Sequence, residues 1–83
     1  MTAKEFRAIR ERLGLTQPEL AEILGLSSYM PVNHYESGFR RPSTLIMGLM
    51  RVFDEWPDKR SQELRESLKA YVSKERARSK KGS

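Results

Sequence analysis

Apolar positions along the chain recur at helical spacing, and nowhere do they alternate as a strand requires. Phe6, Ile9 and Leu13 form one stripe, and Leu20, Ala21 and Leu24 a second. Val32 and Tyr35 form a third, and Leu64, Leu68, Tyr71 and Val72 sit at 0, +4, +7 and +8 in a fourth. Between the last two lies a segment apolar almost all round: Leu45, Ile46, Met47, Leu49, Met50, Val52 and Phe53. This pattern predicts five helices, over roughly 3–13, 17–24, 29–37, 44–55 and 59–76.

Start and stop signals sharpen these bounds. Thr2 with Glu5 and Thr16 with Glu19 have the spacing of capping boxes, in which side chain and backbone satisfy each other's free groups. Leu15 and Leu20 have the spacing of a hydrophobic staple around the second start. Pro18 and Pro31 fit first turns, where a missing N–H costs nothing. Ser27 or Ser28 is expected to cap the third helix, and Ser43 the fourth. Gly14, Gly25, Gly38 and Pro57 end helices. The second and third helices are too short to bury much area alone, so the first and fourth must pack behind them. The outer face of the third is then left free.

At this point the sequence resembles a known family. Arg10-x-x-x-Gly14-Leu15-Thr16-Gln17-x-x-Leu20-Ala21-x-x-Leu24-Gly25-Leu26-Ser27 resembles the lambda-repressor-like, Cro/C1/Xre-type helix-turn-helix, and so does Tyr35-Glu36-Ser37-Gly38-x-Arg40-x-Pro42. The likeness covers residues 4–55. It implies an all-α, five-helix, lambda-repressor-like DNA-binding domain whose third helix reads the major groove. Between Gly25 and Glu36 this chain has one residue more than the family's usual pattern, near Ser27–Tyr29, so roles on the third helix are counted from its C-terminal side. The resemblance then implies base-reading roles for Tyr29, Met30, Asn33 and His34. It implies phosphate-positioning roles for Gln17, Ser28, Arg40 and Arg41, with Ser28 a cap first. Arg10 resembles the family arginine that pairs with the acid of Glu-x-Gly, here Glu36, as a structural ion pair. Blander roles stay open for several of these: core packing for Tyr29 and Met30, a solvated side chain for His34, and a solvated pair for Arg40 and Arg41.

Charge adds a second theme. The chain has 83 residues and a formal net charge of +5. Residues 74–83 carry five basic side chains and one acid, so most of that excess sits in a basic tail, read as disordered, behind a domain over 1–73. A basic balance favours polyanions without choosing among them. There is no cysteine, and a single histidine makes no metal site. With no Gly-rich phosphate loop or nucleophile motif, the reading expects no enzyme, no cofactor, no metal and no small-molecule ligand. No apolar run is long enough to span a bilayer and the N-terminus lacks a secretory apolar stretch, so a cytoplasmic protein without a membrane partner is expected.

The expected function is a transcriptional regulator that binds double-stranded DNA, specifically a dimeric autorepressor. Its partners would be an inverted-repeat operator and a second copy paired through helices 4 and 5, where apolar surface is in surplus. Its small size, with no room for a ligand domain, suits a repressor of phage or mobile-element type. Two other readings stay open: an antitoxin-type repressor that also binds a toxin, with residues 57–83 as its binding extension, and a helical protein-interaction module that meets no DNA.

Overall fold

The computed structural model describes the backbone of residues 1–82 and the side chains of residues 1–78. The side chains of the last five residues of the basic tail lie outside the described residues, as does Ser83 altogether. Five helices follow in order: α1 Ala3–Arg12, α2 Gln17–Leu24, α3 Met30–Ser37, α4 Thr44–Glu55 and α5 Asp58–Gly82. No strand occurs among the described residues. None of these helices is long and apolar enough to cross a membrane.

Local chemistry accounts for most of the ends. At α1 the Thr2 hydroxyl accepts from the Glu5 N–H at 3.1 Å, and the Glu5 carboxylate accepts from the Thr2 N–H at 3.2 Å. At α2 the same reciprocal pair joins Thr16 and Glu19 at 3.2 and 2.9 Å. Ser43 caps α4 by accepting from the Ile46 N–H at 3.2 Å. Gly25 ends α2 at φ +74°, a left-handed conformation that costs glycine little and a side chain much.

Four ends differ from the sequence expectation: α1 stops at Arg12, not 13, and α5 starts at Asp58, not 59, while the start of α3 and the end of α5 differ in their chemistry. α3 begins at Met30, and its cap residue is Tyr29, in a helical conformation and without a side-chain cap. The hydroxyl of Ser28 accepts from the Met30 N–H at 3.3 Å, one position too early to serve as the helix cap. α5 runs to Gly82 rather than stopping near 76. No glycine or proline interrupts it between Asp58 and Gly82, and Lys and Arg are good helix formers, so nothing local ends it where its apolar stripe does.

A single core sits between α1–α4: Phe6 and Ile9 of α1, Leu20, Ala21 and Ile23 of α2, Val32 of α3, Met50 and Phe53 of α4. Burying each large member removes enough apolar surface from water to be worth about 1.5–3 kcal/mol. Truncating Phe53 to Ala would cost about 3–5 kcal/mol through the cavity it leaves. Ile23, not Leu24, is the buried residue at the end of α2; Leu24 is half-buried. α5 closes the back by packing on α2 and α4. Its apolar Leu64 and Leu68 are only half-buried, but Ser61 is buried and donates its hydroxyl to the Phe53 carbonyl at 2.5 Å, which fixes the α4–α5 corner. Two carboxylate pairs bind α1 to α4 on the surface: Arg12 donates to Asp54 at 3.1 and 2.9 Å, and Arg51 to Glu5 at 2.9 Å.

Candidate nucleic-acid interface

α3 presents two unlike faces. Val32 is fully buried, and three residues on, Tyr35 sets its ring edge-on to Phe6 at a centroid distance of 5.5 Å. Glu36, on the same face, is the fixed point of the helix. Arg10 of α1 donates to it twice, from Nε to Oε2 at 2.5 Å and from Nη2 to Oε1 at 2.9 Å, and its Nη1 donates to the Leu15 carbonyl at 2.8 Å. The side chains are 13% and 6% exposed, so water screens this bidentate pair little. The Arg10 guanidinium is held above its ordinary pKa chiefly by its hydrogen bonds to Glu36. Helix 3 is thus tied to helix 1 by one charged clamp and one aliphatic plug.

Among the described residues the rest of the α3 surface is open. Tyr29 is 48% and Met30 43% exposed, and Asn33 stands exposed on the next turn. His34 is half-buried and packs its ring against Phe39, centroids 4.9 Å apart. The structure therefore brings Tyr29, Met30 and Asn33 together on an open surface and leaves His34 at its edge.

The residues expected to position phosphates fall into separate places. Gln17, half-buried, donates Nε2 to Glu36 Oε1 at 3.2 Å, which makes it a third member of the Arg10–Glu36 cluster. It shares a shallow depression of about 220 Å³ with Arg7, Arg10, Asn33, Glu36 and Ser37. Arg40 and Arg41 are exposed and border a second depression, about 240 Å³, with Tyr35 and the N-terminal residues Met1 to Ala3. Ser28 is exposed in the α2–α3 connection. Sequence reasoning passed over Arg7. It lies at the rim of the Asn33 depression and makes an exposed pair to Glu11 at 3.6 Å. Its position three residues before Arg10, on the same side of α1, was the available signal.

Cations thus stand on both flanks of an exposed helix face that carries one amide and two large apolar side chains. Such a surface can donate and accept hydrogen bonds in a groove while salt-bridging to anions on either side. Among the described residues no cluster of three metal-ligating side chains occurs. Comparison with known proteins found no match for the chain among family models, curated proteins or solved structures.

Proposed function

We propose that this chain is a sequence-specific, double-stranded-DNA-binding transcriptional regulator of the lambda-repressor-like kind, acting as a dimeric repressor that inserts α3 into the major groove. The observation that carries this reading is the outer face of α3, where Tyr29, Met30 and Asn33 lie exposed on a helix anchored from behind by Val32 and Glu36. An α-helix is about 10–12 Å across with side chains, and the B-DNA major groove is about 12 Å wide. Asn33 suits bidentate pairing with adenine, and Tyr29 and Met30 suit contact with a thymine methyl. Arg7, Arg40 and Arg41 suit backbone phosphates on the flanks, which position the helix without reading sequence. Gln17 serves both sides, holding Glu36 with its amide and facing the same flank as Arg7.

One such helix reads few base pairs, so two copies on an inverted repeat supply useful affinity. Support for pairing through α4 and α5 comes from Leu45, 72% exposed on α4, together with exposed Trp56 and Tyr71. Binding of duplex DNA at two salt concentrations tests the function, because counterion release makes phosphate contacts steeply salt-dependent. The reading expects tight, salt-sensitive binding to a preferred sequence; a chain that binds no duplex at low salt contradicts it. Sedimentation without DNA tests the pairing. A species of twice the 9.7 kDa chain mass, reduced to a folded monomer by Leu45→Glu, supports it; a 9.7 kDa species contradicts it.

A further inference from the structure

The helix α5 is longer than the body it packs on requires. At 1.5 Å per residue its 25 residues span about 37 Å, nearly the whole 38 Å longest extent of the molecule, while its apolar stripe stops ten residues short of its end. Its inward stripe runs Leu64, Leu68, Val72 at four-residue spacing, and Val72 marks where packing ends: its Cγ1 lies 3.4 Å from the position a Cβ would take on Gly25. The next residue on that stripe is Arg76. Arg76 shares an open groove with Gly25 and Ser27, the first part of the connection that leads into α3. The C-terminal turns of α5 therefore run past the same end of the molecule as the start of α3.

These turns carry charge and little else. Lys74, Arg76 and Arg78 are exposed, and beyond Val72 the only apolar side chain is Ala77. Among the described residues Lys74 and Arg76 make no ion pair, and Arg78 makes only an exposed i,i+3 pair with Glu75 at 3.5 Å, of a kind that contributes little. Among the described residues, side chains this exposed and this weakly paired gain little stability from their position. The sequence nevertheless sets five cations against one acid over 74–83, and the described turns that carry Lys74, Arg76 and Arg78 pass the α2–α3 connection at Arg76.

We propose that this arm of α5 is a second DNA contact, in which Lys74, Arg76 and Arg78 engage backbone phosphates flanking the site that α3 reads. The proposal rests on the DNA-binding reading given above and adds a sequence-independent foothold to it. Arg78 stands six residues beyond Val72, about 9 Å further along the helix, which carries these cations clear of the packed stripe toward a flanking phosphate strand. A membrane surface is the less suited polyanion, since an interfacial helix buries large apolar residues opposite its cations and this arm has none.

The test compares the full chain with K74Q/R76Q/R78Q, and with K59Q at the opposite end of α5 as the charge control. Affinity is measured over a salt series for a preferred duplex and for a random duplex of equal length. Each lost phosphate contact lowers the slope of log affinity against log salt by about 0.9, so the triple variant should lose about 2–3 from that slope for each copy bound, about 5 for the dimer. Its affinity should fall by the same factor on both duplexes, with an unchanged melting temperature and with little change in the control variant. An unchanged slope, a loss confined to the preferred duplex, or an equal loss in the control overturns the arm contact while the chain still binds DNA. So does binding to phosphatidylserine vesicles that the triple variant loses while its DNA slope is kept. A wild-type chain that binds neither duplex overturns the DNA-binding reading itself, and the arm contact with it.

Discussion

α2 and α3 are the same length, eight residues each, and are built in opposite ways. α2 is specified locally: a complete capping box, a proline in its first turn, a left-handed glycine at its end and three buried residues, Leu20, Ala21 and Ile23. α3 has no side-chain cap, a β-branched and an aromatic residue where good helix formers would serve better, and Val32 as its one buried residue. What holds it is distant in sequence, the carboxylate of Glu36 clamped by Arg10 twenty-six positions earlier. The difference teaches where each helix's residues are spent. Most of α2 is taken up by making α2: Pro18 and Glu19 start it, and Leu20, Ala21 and Ile23 bury it. On α3 two positions anchor the helix, which frees Tyr29, Met30 and Asn33 for a partner. A segment whose local signals disagree with its structure, and which is rescued by a specific long-range contact, is where function is expected to have overruled stability.

The contrast can be broken most forcefully at its anchor. Glu36→Ala leaves the Arg10 guanidinium without its partner in a site mostly closed to water, at a cost of about 3–5 kcal/mol. For a domain of this size the melting temperature should fall by more than ~10 °C. A variant that melts like the wild type but binds DNA poorly would make Glu36 part of the binding face and leave α3 without its anchor.

The outer face should respond the other way. Asn33→Ala should change stability by less than ~0.5 kcal/mol, because an exposed side chain is lost. It should weaken binding to the preferred site by about 1–3 kcal/mol and relax the preference at particular base pairs. Equal weakening on preferred and random duplexes would mean that Asn33 positions the helix and does not read.

The two helix starts give a smaller, cleaner difference. Thr16→Ala removes a complete cap and should cost about 1 kcal/mol in chemical denaturation. Ser28→Ala removes only a hydrogen bond to an N–H outside the cap position and should cost less than ~0.5 kcal/mol. Equal costs would show that α3 is capped as α2 is.

Acid titration gives the mildest effect. Backbone hydrogen bonding from Thr16 holds the Glu19 carboxyl below its ordinary value of 4.5, and the Thr2 N–H with the Arg51 guanidinium does the same for Glu5. The guanidinium of Arg12 holds Asp54 below 3.8. Each carboxyl is more acidic folded than unfolded, so its contribution is complete above the ordinary value and is lost as pH falls through the lowered one. The denaturation midpoint should be level above pH 4.5 and decline below it. Glu19→Gln, which keeps an acceptor but cannot titrate, should make that decline shallower; an unchanged decline would remove the α2 cap from the acid response.

Legibility in the sequence followed the same division. The bounds of α2 and α4 could be read to the residue because Thr16, Gly25, Ser43 and Pro57 act through their nearest neighbours. The start of α3 could not, because no neighbour sets it: serines were available at 27 and 28, and the helix instead starts one residue beyond the expected 29, with Tyr29 at the cap position. The end of α5 was missed because the apolar stripe stops at Val72 while the helix formers continue. The exposure of Leu45 within an α4 apolar almost all round was also hidden, since composition alone does not say which arc of such a helix meets the core. Within the candidate site, the sequence pointed to Arg10 with Glu36 through a family resemblance. The engagement of Gln17 with Glu36 depends on where α2 begins relative to α3, which no spacing along the chain expresses.

The central claim is that the outer face of α3 reads a DNA sequence, and selection of bound duplexes from a random pool tests it most directly. The account predicts enrichment of an inverted repeat with half-site centres about one helical turn, roughly 10 bp, apart. Repeating the selection with Asn33→Ala should alter the enriched bases at one position in each half-site. A pool that emerges without a common sequence, or with one that Asn33→Ala leaves unaltered along with Tyr29→Ala and Met30→Ala, would contradict the account.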